Sequence, residues 1–323
     1  MDLPVFMKEA ITTILFEDGT TELRTLSQMV LRAWQYAFHD LGDKRIAHWP
    51  MMADPLPTVL IIIMYLLFVT KIGPKIMENR EPLELKNVLI VYNFIQVCVS
   101  IWIVSQSVEL YWNKYSFFSC ENVEVDASEE TMRICRGFYV YYLAKVSELL
   151  DTVFFVLRKK YNQITFLHLY HHTGMPIMSW GCAKYFPGGH AAFLGLINSS
   201  VHIFMYFYYM LAAMGPQIQK YLWWKRWITI LQLIQFALGF LHFSQVLNSD
   251  CNYPKWAVII VFPNAFFFYY LFWDFYRKAY KPKRIDFDSP SDQKTIDETS
   301  PNGQFGEGNQ LRKRNKETGI QEN

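Results

Sequence analysis

HLYHH, residues 168–172, lies inside the stretch ITFLHLYHHTGMPIMSWGCAKYF that runs from 164 to 186. Three of the chain's eight histidines fall within those five positions. The rest of the stretch is largely apolar. It is about long enough to cross a bilayer, whose ~30 Å hydrocarbon core takes ~20 helical residues. Ionisable groups in such a helix are costly and face an interior rather than lipid. The three imidazoles therefore pose the question of what interior they serve.

Outward from this stretch the chain repeats the pattern. Apolar blocks recur near 56–72, 88–108, 138–157, 165–185, 191–213, 227–247 and 256–276. Backbone groups in lipid must be satisfied within their own segment, so each block reads as a helix. The expected fold is an all-α membrane protein with seven transmembrane helices, and blocks of this length argue against a large soluble helical protein. Its organisation is an N-terminal segment over 1–55, a membrane domain over 56–280 and a tail over 281–323. The tail is rich in Asp, Ser, Asn, Gln, Lys and Gly, a composition expected to be disordered.

Loop charges set the orientation. Lys71, Lys75, Arg80 and Lys86 follow the first block, and Arg158, Lys159 and Lys160 the third. Lys220, Lys225 and Arg226 follow the fifth, and Arg277, Lys278, Lys281, Lys283 and Arg284 the seventh. The alternate loops are poorer in basic charge or balanced by acids such as Glu121, Glu124 and Asp126. By the positive-inside rule seven spans place the N-terminus outside or in a lumen and the C-terminus in the cytosol. Topology thus accounts for the basic residues; the net charge of +2 is itself uninformative about nucleic acid, and no nucleic-acid partner is expected. The first 15 residues lack a basic n-region and contain Pro4 and Glu9, so the first block is expected to serve as the targeting signal.

Residues 20–48 place Leu26, Val30, Ala33, Trp34, Ala37, Phe38 and Leu41 at helical spacing. They suit an amphipathic helix on the membrane face or one packed on the lumenal loops. The sequon Asn198-Ser199-Ser200 lies within a block, so no glycan is expected there. Cys98 and Cys182 fall inside blocks as packing residues, whereas Cys120, Cys135 and Cys251 lie in or beside non-cytosolic loops. An oxidising lumen allows pairing. The expected bridge joins Cys120 to Cys251, with Cys135 an open alternative.

Polar residues within the blocks form stripes. His168, His171 and His172 share roughly one helix face. Asn198, His202, Met205, Tyr206 and Tyr209 follow i, i+4, i+7, i+8, i+11, and Gln232, Gln235, Gly239 and His242 follow steps of 3, 4 and 3. Tyr141, Lys145, Glu148 and Thr152 do the same, with Asp151 beside them. Singly, each is explained as an interhelical hydrogen bond or ion pair. Four stripes together point to a shared interior cavity.

Two chemistries use clustered histidines. One is metal binding: H-x-x-H-H is similar to one box of the membrane di-iron desaturases and hydroxylases. No second clustered box occurs, so no metal is expected. The other is nucleophilic and acid–base catalysis, in which imidazole attacks a thioester. Gln232, Gln235 and Asn198 then supply candidate donors to a developing oxyanion. A seven-helix receptor or transporter is the non-enzymatic alternative, but it has no use for H-x-x-H-H beside a buried Lys and Glu.

At these residues the chain closely resembles the very-long-chain fatty acid elongases, over nearly all of 43–284. The carriers are K-x-x-E-x-x-D-T (Lys145, Glu148, Asp151, Thr152), H-x-x-H-H (His168, His171, His172), N-x-x-x-H-x-x-M-Y-x-Y-Y (Asn198, His202, Met205, Tyr206, Tyr208, Tyr209) and T-x-x-Q-x-x-Q (Thr229, Gln232, Gln235). GPKIMENREP at 73–82 and DKRIAHWPMMADPLP at 43–57 add to it. The resemblance implies seven transmembrane helices, six of them forming an inverted barrel around an acyl tunnel in the endoplasmic reticulum membrane. It implies condensation of a long-chain acyl-CoA with malonyl-CoA, releasing carbon dioxide and CoA, without metal or other cofactor. The implied route is ping-pong through an acyl group on His171, with His202 across the cavity. Further implied partners are membrane lipid, the reductases and dehydratase of the elongation cycle, and a homo- or heterodimer with other elongases. The final residues, KETGIQEN, hold Lys316 too far from the end for the dilysine retrieval signal of many family members.

Overall fold

The structure, a computed structural model, describes residues 5–15, 23–248 and 250–280. The tail expected over 281–323 lies outside the described residues. Helix α1 is Val5–Leu15 and α2 is Leu26–Gln35, which continues through a wide turn to Asp40. Helix α3, Leu56–Leu67, passes through another wide turn into α4, Gly73–Met77, and α5 is Lys86–Asn113. Helices α6, Glu129–Ser147, and α7, Leu149–Leu157, are separated at Glu148. Next come α8, Phe166–Tyr185, α9, Ala192–Ala213, and the short α10, Pro216–Gln219. Helices α11, Lys225–Phe243, and α12, Trp256–Tyr280, complete the series. No β-strand occurs among the described residues.

Five of these segments are long and apolar enough to cross a membrane: Leu56–Met77, Lys86–Trp112, Gly189–Ala213, Lys225–Leu247 and Ala257–Tyr280. They mark a multi-pass membrane protein. The blocks at 138–157 and 165–185 are helical but do not join the five. They carry the Lys145–Glu148–Asp151 group and the three clustered histidines, which lower their apolar content.

Six helices form a closed circuit of contacts: α5 packs on α9, α9 on α11, α11 on α12, α12 on α8, α8 on α6, and α6 back on α5. Helix α3 lies against α8, and α4 against α7. Side-chain caps start the site-bearing helices. Ser128 accepts from Thr131 N at 3.3 Å ahead of α6, and Thr165 from His168 N at 3.2 Å ahead of α8.

The two ends of the circuit are closed differently. At one end, Gly188 and Gly189 take positive φ values of 118° and 56° in the turn from α8 to α9. A Cβ on Gly189 would meet Glu121 O at 2.8 Å, so only glycine fits both the dihedral and the space. Gly189 N donates to the Tyr115 hydroxyl and His190 N to Glu121 O. Cys120 and Cys251 form a disulfide beside this turn, with their Cα atoms 5.5 Å apart. Cys135 is a free, buried thiol.

The segment 41–54 closes the same end over α6 and α8. Lys184, 1% exposed, donates to Met52 O at 2.7 Å, and Gly42 lets the chain pass against its side chain. The expected amphipathic helix is correspondingly shorter than 20–48. No residue of α2 is buried, and Leu26, Val30 and Leu31 are exposed. Trp34 ties this helix to Asp54 at the start of α3 through a 3.2 Å hydrogen bond.

At the opposite end Leu83 N donates to Leu157 O, and Lys159 Nζ to Glu78 O. This is the basic end, since Lys71, Lys75, Arg158 and Lys160 share its loops.

The disulfide joins positions 131 residues apart. Non-reducing peptide mapping should recover the Cys120 and Cys251 peptides as one species. Cys251→Ser should lower stability by ~2–4 kcal/mol in denaturant titration.

Candidate active site

The site is built on the break between α6 and α7. Glu148 N bonds back to Ala144 O, and Asp151 N to Glu148 O, so the backbone tightens for one turn without leaving the helix direction. That turn aims Lys145 and Glu148 inward. Lys145 is 2% exposed and Glu148 3%, and Lys145 Nζ donates to Glu148 Oε1 at 2.8 Å. Two charges this deep persist only when paired and fully hydrogen-bonded.

His202 on α9 completes the group. Its Nδ1 lies 2.8 Å from Asn198 O, an atom that only accepts, so Nδ1 carries the hydrogen. In the neutral ring, Nε2 then accepts from Lys145 Nζ at 3.0 Å. Lys145 Nζ also sits 5.0 Å from the centroid of the Tyr141 ring, whose hydroxyl donates to Asn198 Oδ1 at 2.8 Å. One turn on, Asp151 Oδ2 accepts from Tyr206, itself fully buried, at 2.8 Å. A lysine, two carboxylates, a histidine and two tyrosines thus tie α6 and α7 to α9.

The three clustered histidines of α8 have separate surroundings. His168 Nε2 shares a 2.7 Å hydrogen bond with Thr152 Oγ1, which bonds in turn with the Tyr65 hydroxyl on α3. His172 is buried between its neighbours, its ring centroid 4.1 Å from that of His168 and 5.2 Å from that of His171. His171 meets Phe268 edge on at 5.5 Å. Among the described residues neither of its ring nitrogens has a hydrogen-bond partner, and it faces a cavity of about 100 Å³.

This cavity lies between α6, α8, α9, α11 and α12. Its wall runs from His171 to Met178 along α8 and from Asn198 back to Leu194 along antiparallel α9. On α11 it runs from Gln235 to Gly239, and on α12 from Phe268 to Val261. All four directions lead from the histidines toward the disulfide end. The cavity is a polar-headed, apolar-walled space, and its head is the His171 imidazole.

The structure gathers His168, His171, His172, His202, Lys145, Glu148, Asp151, Asn198 and Tyr206 into one continuous group of buried and part-buried side chains. Gln235 stands on the cavity wall. Gln232 does not line that wall; its Nε2 lies 3.7 Å from Met205 Sδ. Tyr209 is 43% exposed and packs on the rings of Tyr206 and Tyr208. His242 stands apart at the disulfide end, stacked on His190 at 3.9 Å. Among the described residues no three or more His, Cys, Asp or Glu side chains gather as a metal site requires.

Sequence reasoning missed the contribution of α5. Asn93, Gln96 and Ser100 are buried on it, and Gln96 Nε2 donates to Ser147 Oγ at 2.8 Å, supporting the α6–α7 break from behind. Their i, i+3, i+7 spacing was the available signal. Asn264 on α12 was also missed; its Oδ1 accepts from Tyr170 at 2.9 Å beside the cavity.

Comparison with known proteins gives this geometry a lineage. The profile of the ELO (GNS1/SUR4) family matches residues 50–286. The chain is 44% identical over 253 residues to "Very long chain fatty acid elongase 7" of Drosophila melanogaster, covering 78% of this chain and 77% of that protein. It is 45% identical over 242 residues to "Very long chain fatty acid elongase 7" of Rattus norvegicus, covering 74% and 86%. It is 44% identical over 245 residues to "Very long chain fatty acid elongase 4" of Homo sapiens, covering 76% and 78%. The chain belongs to the GNS1/SUR4 family. The match takes in every site residue named above.

Removing one partner of the buried pair leaves the other charge uncompensated. Lys145→Met should therefore cost ~3–5 kcal/mol of stability. The double substitution Lys145→Met with Glu148→Gln should recover most of it, as read by thermal unfolding in detergent. Equal instability of the single and double variants would show that the pair is not energetically coupled.

Proposed function

We propose that the chain is a condensing elongase. It joins a long-chain acyl-CoA to malonyl-CoA and forms a 3-oxoacyl-CoA two carbons longer, with release of CO2 and CoA. The observation that carries this reading is the His171 imidazole, uncommitted at the polar head of an apolar-walled cavity. The names borne by the relatives supply the reaction class. The motif carriers Lys145, Glu148, His202 and Asn198, packed within one group, support it.

The proposed route has two halves. A ring nitrogen of His171 attacks the acyl thioester, the C–S bond breaks, and CoA leaves as thiolate with the acyl group on the ring. Malonyl-CoA then enters. The bond between its α-carbon and its free carboxylate breaks to release CO2, and the electron pair left on the α-carbon forms the new C–C bond to the acyl carbon. The acyl–imidazole bond breaks and His171 is restored. Departure of the first CoA before the second arrives allows one CoA pocket to serve both substrates. On this route Lys145 supplies a cation that favours the malonyl thioester's enolate, and His202, committed at both ring nitrogens, orients that lysine. Glu148 holds the lysine in place. The resident chemistry of this route needs no metal or other cofactor.

The same reading places the chain in the endoplasmic reticulum membrane, with the basic end cytosolic and the disulfide end lumenal. The α6–α7 and α8 segments join the five apolar helices as spans, giving seven, and the six-helix circuit forms the inverted barrel around the acyl tunnel. The reductases and dehydratase that complete a two-carbon cycle are its expected functional partners. A dimer with itself or another elongase is a further proposal.

Membranes containing the chain, given a long-chain acyl-CoA and malonyl-CoA labelled at its α-carbon and its free carboxylate, should yield two distinct products. The α-carbon label should appear in a 3-oxoacyl-CoA and the carboxylate label in CO2. His171→Ala should abolish both. The stable Lys145→Met/Glu148→Gln pair should lower turnover by about 10²-fold or more. Absence of label from the lengthened chain would overturn the reading.

A further inference from the structure

Three side-chain amides stand on the cavity wall: Asn198, Gln235 and Asn264. Asn198 Oδ1 accepts from Tyr141. Asn264 is committed at both ends, its Oδ1 accepting from Tyr170 and its Nδ2 donating to Ile260 O at 2.7 Å. Gln235 differs. Among the described residues its amide makes no hydrogen bond, and its Oε1 is sealed from solvent without a partner. A buried acceptor left this way is costly, and such groups in native proteins have a reason. Its –NH2 is not sealed in this way and is the end free to reach a group in the cavity that Gln235 lines.

The position of Gln235 gives the reason. The Phe268 ring lies edge on to His171 at 5.5 Å and stacks on Phe236, the next residue after Gln235, at 5.8 Å. One aromatic ring thus links the uncommitted imidazole to the turn of α11 that carries the uncommitted amide. Among the other polar groups of the cavity head, Lys145 is engaged with Glu148 and His202 and the Tyr141 hydroxyl with Asn198 Oδ1, while the Asn198 –NH2 is a second donor without a partner among the described residues. Gln232, one turn earlier on α11, is spent on Met205. An acyl chain has a single polar group near its reacting end, its carbonyl oxygen, and that oxygen only accepts.

We infer that Gln235 is a catalytic residue that donates its Nε2–H to the acyl carbonyl oxygen as the acyl group is transferred. The inference rests on the condensing reading above. Attack on the thioester moves the carbonyl π pair onto oxygen, and Gln235 hydrogen-bonds that oxyanion. Collapse restores the C=O bond as the C–S bond breaks and CoA thiolate leaves. The same donor serves when the malonyl-derived carbon attacks the acyl group. A preorganised donor is worth more to the oxyanion than to the neutral carbonyl, so its contribution appears in rate rather than in binding.

The test uses the full chain in detergent with a thiol-reactive dye to time CoA release from acyl-CoA alone. Gln235→Leu and Gln235→Glu are compared with wild type, alongside acyl-CoA binding and unfolding midpoints. Both variants should bind acyl-CoA within about threefold of wild type and release CoA about 10²–10³-fold more slowly. Gln235→Asn, which keeps the amide donor on a shorter stem, should recover part of the rate. Wild-type release rates in Gln235→Leu, or a loss of binding that accounts for the whole effect, would overturn the inference. If wild type itself releases no CoA until malonyl-CoA is added, the covalent route fails. The donor role is then read from the complete condensation, and unchanged kcat in Gln235→Leu overturns it.

Discussion

The Lys145–Glu148 pair is the constraint from which the site follows. Two full charges within apolar helices are tolerated only if each answers the other and the remaining donors and acceptors are filled. Filling them recruits specific neighbours. Lys145 needs an acceptor beyond Glu148 and finds His202 Nε2, which fixes the ring's tautomer through Asn198 O. The helix break at Glu148 then lets Asp151 reach Tyr206 from the following turn. Charge satisfaction thus locks α6 and α7 to α9 in a single register.

A second consequence is a division among the histidines. His168 is committed to Thr152 and, through it, to Tyr65 on α3. His202 is committed at both ring nitrogens. His172 is enclosed by its neighbours. His171, whose ring faces the cavity, keeps its nitrogens for whatever enters. A nucleophile in an apolar space must not be spent on its own protein, and the surrounding network spends the other rings instead. The cavity wall beyond it carries Met175, Met178 and Leu194, which suit a hydrocarbon chain and offer it no competing polar partner.

Much of this was legible in the sequence because helical spacing is a strong geometric statement. Residues at i, i+3 and i+4 share a face wherever the helix lies, so the inward faces of α8 and α9 could be read directly. The blocks at 138–157 and 165–185 were harder, because the polar residues that make them interesting also dilute the apolar signal of a span. The break at Glu148 left no mark, since both flanks favour helix and only burial of charge forces the tighter turn. Asn93 and Gln96 were passed over because neutral amides in an apolar run look like ordinary interhelical contacts until Ser147 is seen opposite. Periodicity also over-reached at Tyr209, which shares the angular face of Tyr206 but lies so near the end of α9 that neighbouring helices no longer cover it.

The central claim is that His171 carries the acyl group, and the most direct measurement is to find it there. The protein would be incubated with a long-chain acyl-CoA alone, quenched, digested and mapped by mass spectrometry. The account predicts an acyl mass on the peptide containing His168–His172, fragmenting to His171, removed by hydroxylamine and absent in His171→Ala. No adduct in an otherwise active preparation, or an adduct on His202 or a cysteine instead, would contradict it.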